Sequence, residues 1–309
     1  MNLKNIHSVY FVGIGGIGMS AIARYFVANG KKVAGYDKTP SQITSDLEAL
    51  GVEIHFDDSV KNIPILFLNK EETLVVYTPA IPKDHAAFNY FLDHKFNILK
   101  RAAVLGKITE TTCCLAVAGT HGKTTTSSIL GHVMVEVNAT SFLGGIAENY
   151  NSNLILGGAE ISVVEADEFD RSFLQLSPNI ACITSMDADH LDIYENPEAL
   201  TSSFIEFSNK VSDTLIVAKG LPLNGLTYAI EEDADYKAFN LKIENGTYIF
   251  DVKTPTSEIK NIVFQLPGQH NVMNALAALA MADVYGIPLA SIKKSLSTFK
   301  GVKRRFSYK

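Results

Sequence analysis

The sequence is short of cysteine, of net positive charge and of long apolar runs, and each shortage closes off a class of protein. Three cysteines, two of them adjacent at Cys113 and Cys114, cannot build a disulfide framework and lack the paired spacing of a zinc site, so they read as core residues. Twenty-seven basic against thirty-three acidic residues leave a formal net charge of −6, which excludes the polycationic surface that drives nucleic-acid binding. The most apolar helical stretch, 272–285, is too short to span a bilayer and contains Asp283, so no membrane segment is expected. The first residues run directly into a strand pattern, with no apolar core and no small-residue cleavage site of a secretory leader, and a cytoplasmic location is the expectation. Internal repeats and low-complexity segments are absent. What remains is a chain of 309 residues, 47% hydrophobic, with room for about two ordinary domains.

The strongest local signal lies at 117–126, Val-Ala-Gly-Thr-His-Gly-Lys-Thr-Thr-Thr. Cys113 to Ala118 is an apolar run that reads as a buried strand, and Ile129, Leu130, Val133, Met134 and Val137 then recur at helical spacing. The glycines Gly119 and Gly122 therefore turn the chain from a strand into a helix N-terminus, where free N–H groups and the positive dipole end attract phosphate oxygens. Lys123 can reach the β and γ phosphates of a nucleoside triphosphate and Thr124 can offer its hydroxyl to Mg²⁺. A full Walker pattern would place glycine at 117, where this chain has valine, but the Gly-Lys-Thr core is intact.

A second glycine-rich turn, Gly13-Ile-Gly15-Gly16-Ile17-Gly18, follows a strand at Val9 to Val12 and opens a helix marked by Met19, Ile22, Ala23, Phe26 and Val27. Val33 to Tyr36 reads as the next strand and carries Asp37 at its tip, about twenty positions after the last glycine. That is a dinucleotide fingerprint, yet its physics demands only a pyrophosphate at a helix N-terminus, which NAD and a UDP-sugar both present. A further strand at Leu74 to Tyr77 ends at Thr78, a ligand contact or a plain turn residue before proline.

Beyond the phosphate loop, the strand 161–166 ends in Glu165, Asp167, Glu168 and Asp170, carboxylates well placed to hold Mg²⁺ beside a triphosphate, or else a solvated turn. After the strand 180–184 comes Asp187-Ala-Asp189-His190, where His190 reads as a metal ligand, a γ-phosphate contact or a plain histidine. An amphipathic helix over 197–210 precedes strand-like runs at 214–217, 226–230, 236–239, 247–252 and 259–266, whose hairpin-like spacing predicts an antiparallel portion. Asn271 and Asn274 open an alanine-rich helix and can offer amides to an adenine edge, although capping is the alternative for Asn271. The fold class expected is α/β: a Rossmann-like domain over 1–107, then a P-loop-type ATPase domain over 108–300 with a mainly parallel sheet and a small antiparallel part.

Taken together, four signatures in order resemble the Mur ligase family of ATP-dependent amide-forming enzymes of peptidoglycan precursor synthesis. They are Gly119-Thr-His-Gly-Lys-Thr-Thr125, Glu165-Ala-Asp-Glu168, Asp187-Ala-Asp-His190 and Gly268-Gln-His-Asn-Val-Met-Asn274. Within the family, the glycine pattern at 13–18 together with His121 resembles the alanine-adding branch; a tripeptide-recycling branch shares the histidine and departs from the glycine pattern. The resemblance implies ATP and Mg²⁺ as cofactors, UDP-N-acetylmuramate and L-alanine as substrates, and an acyl-phosphate intermediate. It implies a nucleotide site of Gly119, Thr120, His121, Gly122, Lys123, Thr124, Thr125, Asn271, Asn274 and Arg305. It implies metal contacts from Thr124, Glu165 and His190, with Lys123, Glu165 and His190 catalytic. It also implies a UDP-sugar site of Gly13, Gly15, Gly16, Ile17, Gly18, Asp37 and Thr78, joined by His121. Phe169 stands where a serine is usual in this branch, so that serine's contacts do not carry over. Residues 301–309, with Lys303-Arg-Arg-Phe306, resemble the start of the linker to a third domain, so a truncated form with little turnover of its own is expected. Readings from other classes are a NAD-dependent oxidoreductase and a non-catalytic UDP-sugar-binding module. The sequence leaves monomer and dimer open.

Overall fold

Strand β1 (Ser8–Val12) is buried at every position, as expected of a central strand covered on both faces. It is followed by helix α1 (Ile17–Ala28), β2 (Lys32–Tyr36), α2 (Gln42–Glu48), β3 (Glu53–His55), β4 (Thr73–Tyr77), α3 (Ala86–Asp93), β5 (Asn97–Lys100) and α4 (Arg101–Thr109) in a computed structural model that describes residues 3–187 and 197–303. The strands form a parallel sheet of order β3-β2-β1-β4-β5. Strand order reverses beside β1, and in open α/β sheets that switch point is where a ligand crevice opens, at the carboxyl ends of the strands. The glycine turn at 13–18 occupies that position.

The chain divides into compact units Met1–Ile108 and Thr109–Lys309. The second unit contains β6 (Cys113–Ala118), α5 (Lys123–Met134), β7 (Thr140–Ala147), β8 (Ser152–Ile155), β9 (Ile161–Glu165), β10 (Ile180–Ile183) and α6 (Pro197–Ser208). After these come β11 (Thr214–Ala218), β12 (Leu226–Ile230), β13 (Tyr236–Glu244), β14 (Thr247–Lys253), β15 (Glu258–Phe264), α7 (Gln269–Tyr285) and α8 (Leu289–Thr298). The sheet runs β15-β14-β13-β12-β11-β10-β6-β9-β7-β8. The hairpin-like spacing beyond 214 misleads about where antiparallel pairing starts. Strands β11, β12 and β13 are parallel neighbours, and the antiparallel part begins only at β13–β14. Connectors 219–225 and 231–235 are long enough to return the chain along a five-residue strand, since an extended residue covers about 3.3 Å. The true hairpin is set by Asn245-Gly246, both at positive φ, the backbone a two-residue turn between twisted strands requires. At the other edge, β7 and β8 form an antiparallel pair that the sequence does not announce.

Helix α7 is the inner helix of this unit. From Val272 to Ala282 every residue but Met273 is buried, and the run of alanines keeps the helix thin enough to pack closely. Asp283 is satisfied by the Tyr236 hydroxyl, which donates to its carboxylate at 2.8 Å. Cys114 and Cys182 are fully buried, and burial pushes both thiols up to about 12, so they behave as small apolar core groups. Among the described residues no helix is long and apolar enough to cross a membrane.

His132 on α5 ties the end of α8 to the β7–β8 hairpin. Its Nδ1 lies 2.6 Å from the Tyr150 hydroxyl, its Nε2 lies 2.9 Å from Thr298 Oγ1, and its ring abuts Phe299. Burial holds this imidazole below its ordinary value. The unfolded chain therefore takes up a proton near pH 6.5, before the folded one does, and the histidine's contribution to stability is complete above about that pH and declines as pH falls. His85, depressed for the same reason, acts in the same window. Urea unfolding at pH 7.5 and 5.5 is accordingly expected to show a smaller loss of stability for His132→Gln than for the wild type.

Candidate functional site

The loop between β6 and α5 is shaped by two glycines. Gly119 has φ +134° and Gly122, the N-cap of α5, has φ +83°, both in the region that side chains disfavour. A Cβ on Gly122 would also fall 2.6 Å from Asn274 Oδ1. The loop is fastened along the segment after β10. The Thr120 amide donates to the Ser185 carbonyl at 3.2 Å, the His121 amide to Ser185 Oγ at 2.8 Å, and the Asp187 amide to Thr120 Oγ1 at 3.2 Å. Because α5 starts at Lys123, the first-turn N–H groups of Lys123, Thr124 and Thr125 have no acceptor within the helix, which is the arrangement that binds phosphate. His121 sits exposed at the tip, its Nε2 3.7 Å from the Asp187 carboxylate.

Two carboxylates from the end of β9 meet this helix start. Glu165 Oε1 accepts the Thr124 hydroxyl at 3.0 Å, and Glu165 Oε2 accepts the Gly144 amide from β7 at 3.1 Å. A Cβ on Gly144 would land on that carboxylate, so glycine is what admits it. Next along β7, Gly145 lies between the Thr124 methyl and the side chain of Val302. Glu168 is fully buried because the chain turns sharply after it, with Asp170 and Arg171 both at positive φ. Its oxygens stand 2.9 and 2.8 Å from Lys123 Nζ. The lysine also folds back on its own loop, donating to the Gly119 carbonyl at 2.6 Å and the Thr120 carbonyl at 3.4 Å.

This donor set fits Mg²⁺ and a polyphosphate. Mg²⁺ is characteristically held by one or two carboxylate or hydroxyl oxygens of the protein, with phosphates and water completing six. Thr124 and Glu165 present such a pair at the helix start, with the lysine alongside. His190 and Arg305 lie outside the described residues.

Asn271 and Asn274, the pair expected to meet the adenine, bond within the protein at the start of α7. Both are buried; the Asn271 amide donates to the Pro267 carbonyl at 2.6 Å, and Asn274 Nδ2 donates to Asn271 Oδ1 at 3.2 Å. Thr126 on α5 donates to Asn274 Oδ1 at 3.2 Å. The two amides thus form a tie between the loop helix and α7, and the N-cap of α7 is Gly268 rather than Asn271.

In the first unit the glycine turn gathers its predicted partners. Asp37 Oδ2 accepts the Gly15 amide at 2.7 Å, and Thr78 lies against Gly13, whose added Cβ would meet its methyl at 2.8 Å. Gly16 is the N-cap of α1, with Ile17 and Gly18 in its first turn. Arg101, the first residue of α4, brings a guanidinium nitrogen within 2.8 Å of where a Gly18 Cβ would be. Sequence reading passes over Arg101 because it belongs to no fingerprint and over Gly144 because a lone strand glycine carries no ligand signal; it groups Glu168 with the possible Mg²⁺ carboxylates, and its contact with Lys123 is what it misses.

Comparison with known proteins agrees with this geometry. The Mur ligase family catalytic-domain model matches residues 8–112, and the Mur ligase middle-domain model matches 117–282. The chain is 61% identical over 312 residues to a UDP-N-acetylmuramate--L-alanine ligase of Flavobacterium psychrophilum, covering 100% of this chain and 69% of that protein. It is 58% identical, with the same coverage, to the protein of that name from Flavobacterium johnsoniae. The fold superimposes with a TM-score of 0.87 on a crystal structure of the UDP-N-acetylmuramate-alanine ligase of Thermotoga maritima, at 30% identity over 97% of this chain and 70% of that one. With two family models spanning most of its length and relatives at this level of identity, the chain belongs to the Mur ligase family.

Proposed function

We propose that this chain carries the UDP-sugar and nucleotide sites of an ATP-dependent ligase that joins L-alanine to UDP-N-acetylmuramate in peptidoglycan precursor synthesis, in the cytoplasm. The observation that carries the reading is the meeting of Lys123, Thr124 and Glu165 at the start of α5, in a chain so similar to proteins bearing that name.

The chemistry follows from what a carboxylate lacks. Its carbon is a poor electrophile until an oxygen becomes a leaving group. A carboxylate oxygen of the lactyl group attacks the γ-phosphorus of ATP, the bond to the β-phosphate oxygen breaks, and ADP leaves an acyl phosphate. The free amine of alanine then attacks the acyl carbon, inorganic phosphate departs with the bonding pair, and the nitrogen sheds a proton to give the amide. Phosphoryl transfer of this kind depends on positioning and charge neutralisation. The amides opening α5 hold phosphate oxygens, and Lys123 balances charge on the transferring group. Bound by Thr124 and Glu165, Mg²⁺ would supply further neutralisation of phosphate charge. In the first unit the start of α1 would take the pyrophosphate of the UDP-sugar, with Asp37 keeping the turn in shape through the Gly15 amide.

Calorimetry with UDP-N-acetylmuramate and NADH tests the first-unit assignment. The UDP-sugar is expected to bind and NADH to give no heat of binding, and Asp37→Ala is expected to weaken the UDP-sugar by about tenfold, the value of one charge-assisted hydrogen bond. Tight NADH binding without UDP-sugar binding would return the chain to the oxidoreductases.

A further inference from the structure

Glu168 presents a physical problem. A fully buried carboxylate is costly unless paired, and here its cationic neighbour is the loop lysine, whose side chain is only 13% exposed. Glu165, three residues earlier, faces Thr124 and Gly144 instead, so the two acids divide between a hydroxyl–amide pair and an ammonium. Lysine has a flexible four-carbon stem and a point charge with three donors, and nothing in its own geometry fixes where the charge sits. Two kinds of acceptor fix it here: carbonyls of Gly119 and Thr120, which belong to the loop that would cradle phosphate, and the Glu168 carboxylate, which does not.

We infer that Glu168 is a positioning residue for Lys123: it parks the ammonium in the loop before nucleotide arrives and keeps hold of it when phosphate oxygens replace the loop carbonyls as acceptors. This rests on the nucleotide-site reading above. The loop carbonyls are the exchangeable partners because a neutral acceptor yields to a charged one. The carboxylate is the permanent partner because it is charged and fully buried, and holds the ammonium more strongly than neutral carbonyls do. Glu168 therefore acts on polyphosphate through Lys123 and touches no substrate.

The test is a double-mutant cycle on the full 309-residue chain, with binding of ATP in the presence of MgCl₂ followed by calorimetry in the wild type, Glu168→Gln, Lys123→Met and the double variant. Glu168→Gln is expected to weaken ATP at least about tenfold in the wild-type background and by less than about twofold where Lys123 is already methionine. Thermal unfolding supplies a readout that survives a poorly folding single variant: the Tm lost on Glu168→Gln is expected to be smaller in Lys123→Met, where the ion pair is already broken, than in the wild type. Equal losses of ATP affinity in both backgrounds, or no loss in the wild type, would overturn the proposal alone. An unchanged ATP affinity in Lys123→Met would overturn the nucleotide-site reading and the proposal with it.

Discussion

Lys123→Ala is expected to lower ATP affinity by about 100-fold or more, while UDP-N-acetylmuramate affinity stays within about twofold. The asymmetry arises because the lysine charge sits at the start of α5 in the second unit, whereas the UDP-sugar is assigned to the glycine turn of the first. The substitution also has a cost unrelated to ligand. Removing the ammonium breaks its ion pair with the fully buried Glu168 carboxylate, and breaking a buried pair from one side typically costs about 3 kcal/mol or more. Urea unfolding of the ligand-free protein should register that loss, and calorimetry with each nucleotide should register the other. Retained ATP affinity would remove the loop from the nucleotide site altogether. A parallel collapse of UDP-sugar binding would instead mean that the variant had lost its fold.

The second large effect is expected at Glu165. Glu165→Gln keeps the volume and one acceptor oxygen but gives up the charge, and a side-chain amide cannot accept from both the Thr124 hydroxyl and the Gly144 amide with equivalent oxygens. ATP binding in the wild type should tighten on adding MgCl₂. In Glu165→Gln most of that increment should vanish, a loss of roughly 10- to 100-fold on the scale of disturbed metal sites. Titrating MgCl₂ at fixed ATP separates this from a general weakening. Gly144→Ala, whose added Cβ lands on the carboxylate, should reproduce the defect from the opposite side. An undiminished Mg²⁺ response in both variants would refute the assignment of this carboxylate to the metal.

How much of this was legible beforehand depended on the range of the contacts. The strand Cys113–Ala118, the helix start at Lys123 and the placing of Glu165 at a strand end were all readable, because apolar runs, glycine and periodicity act within a few residues. Register and partner choice were not. Glu168 reaches Lys123 across 45 residues of sequence, and its role depends on a turn made by Asp170 and Arg171 in a conformation their residue types do not advertise. For Asn274, what the sequence could not show is its partner Thr126, brought close by the packing of α5 on α7. The parallel pairing of β11 with β12 and of β12 with β13 was hidden for a related reason, since connector length permits it without requiring it.

The tie between Thr126 and Asn274 joins residues 148 positions apart, and it bears on the order of events in folding. Contacts so distant in sequence form late, once the loop-closure entropy between them has been overcome. The helix that opens the phosphate loop is held against α7, which follows every strand of the sheet in chain order, and Gly122 at its N-cap packs beside that same asparagine. Competence to bind nucleotide should therefore appear late in refolding, after the first unit and the central strands have formed.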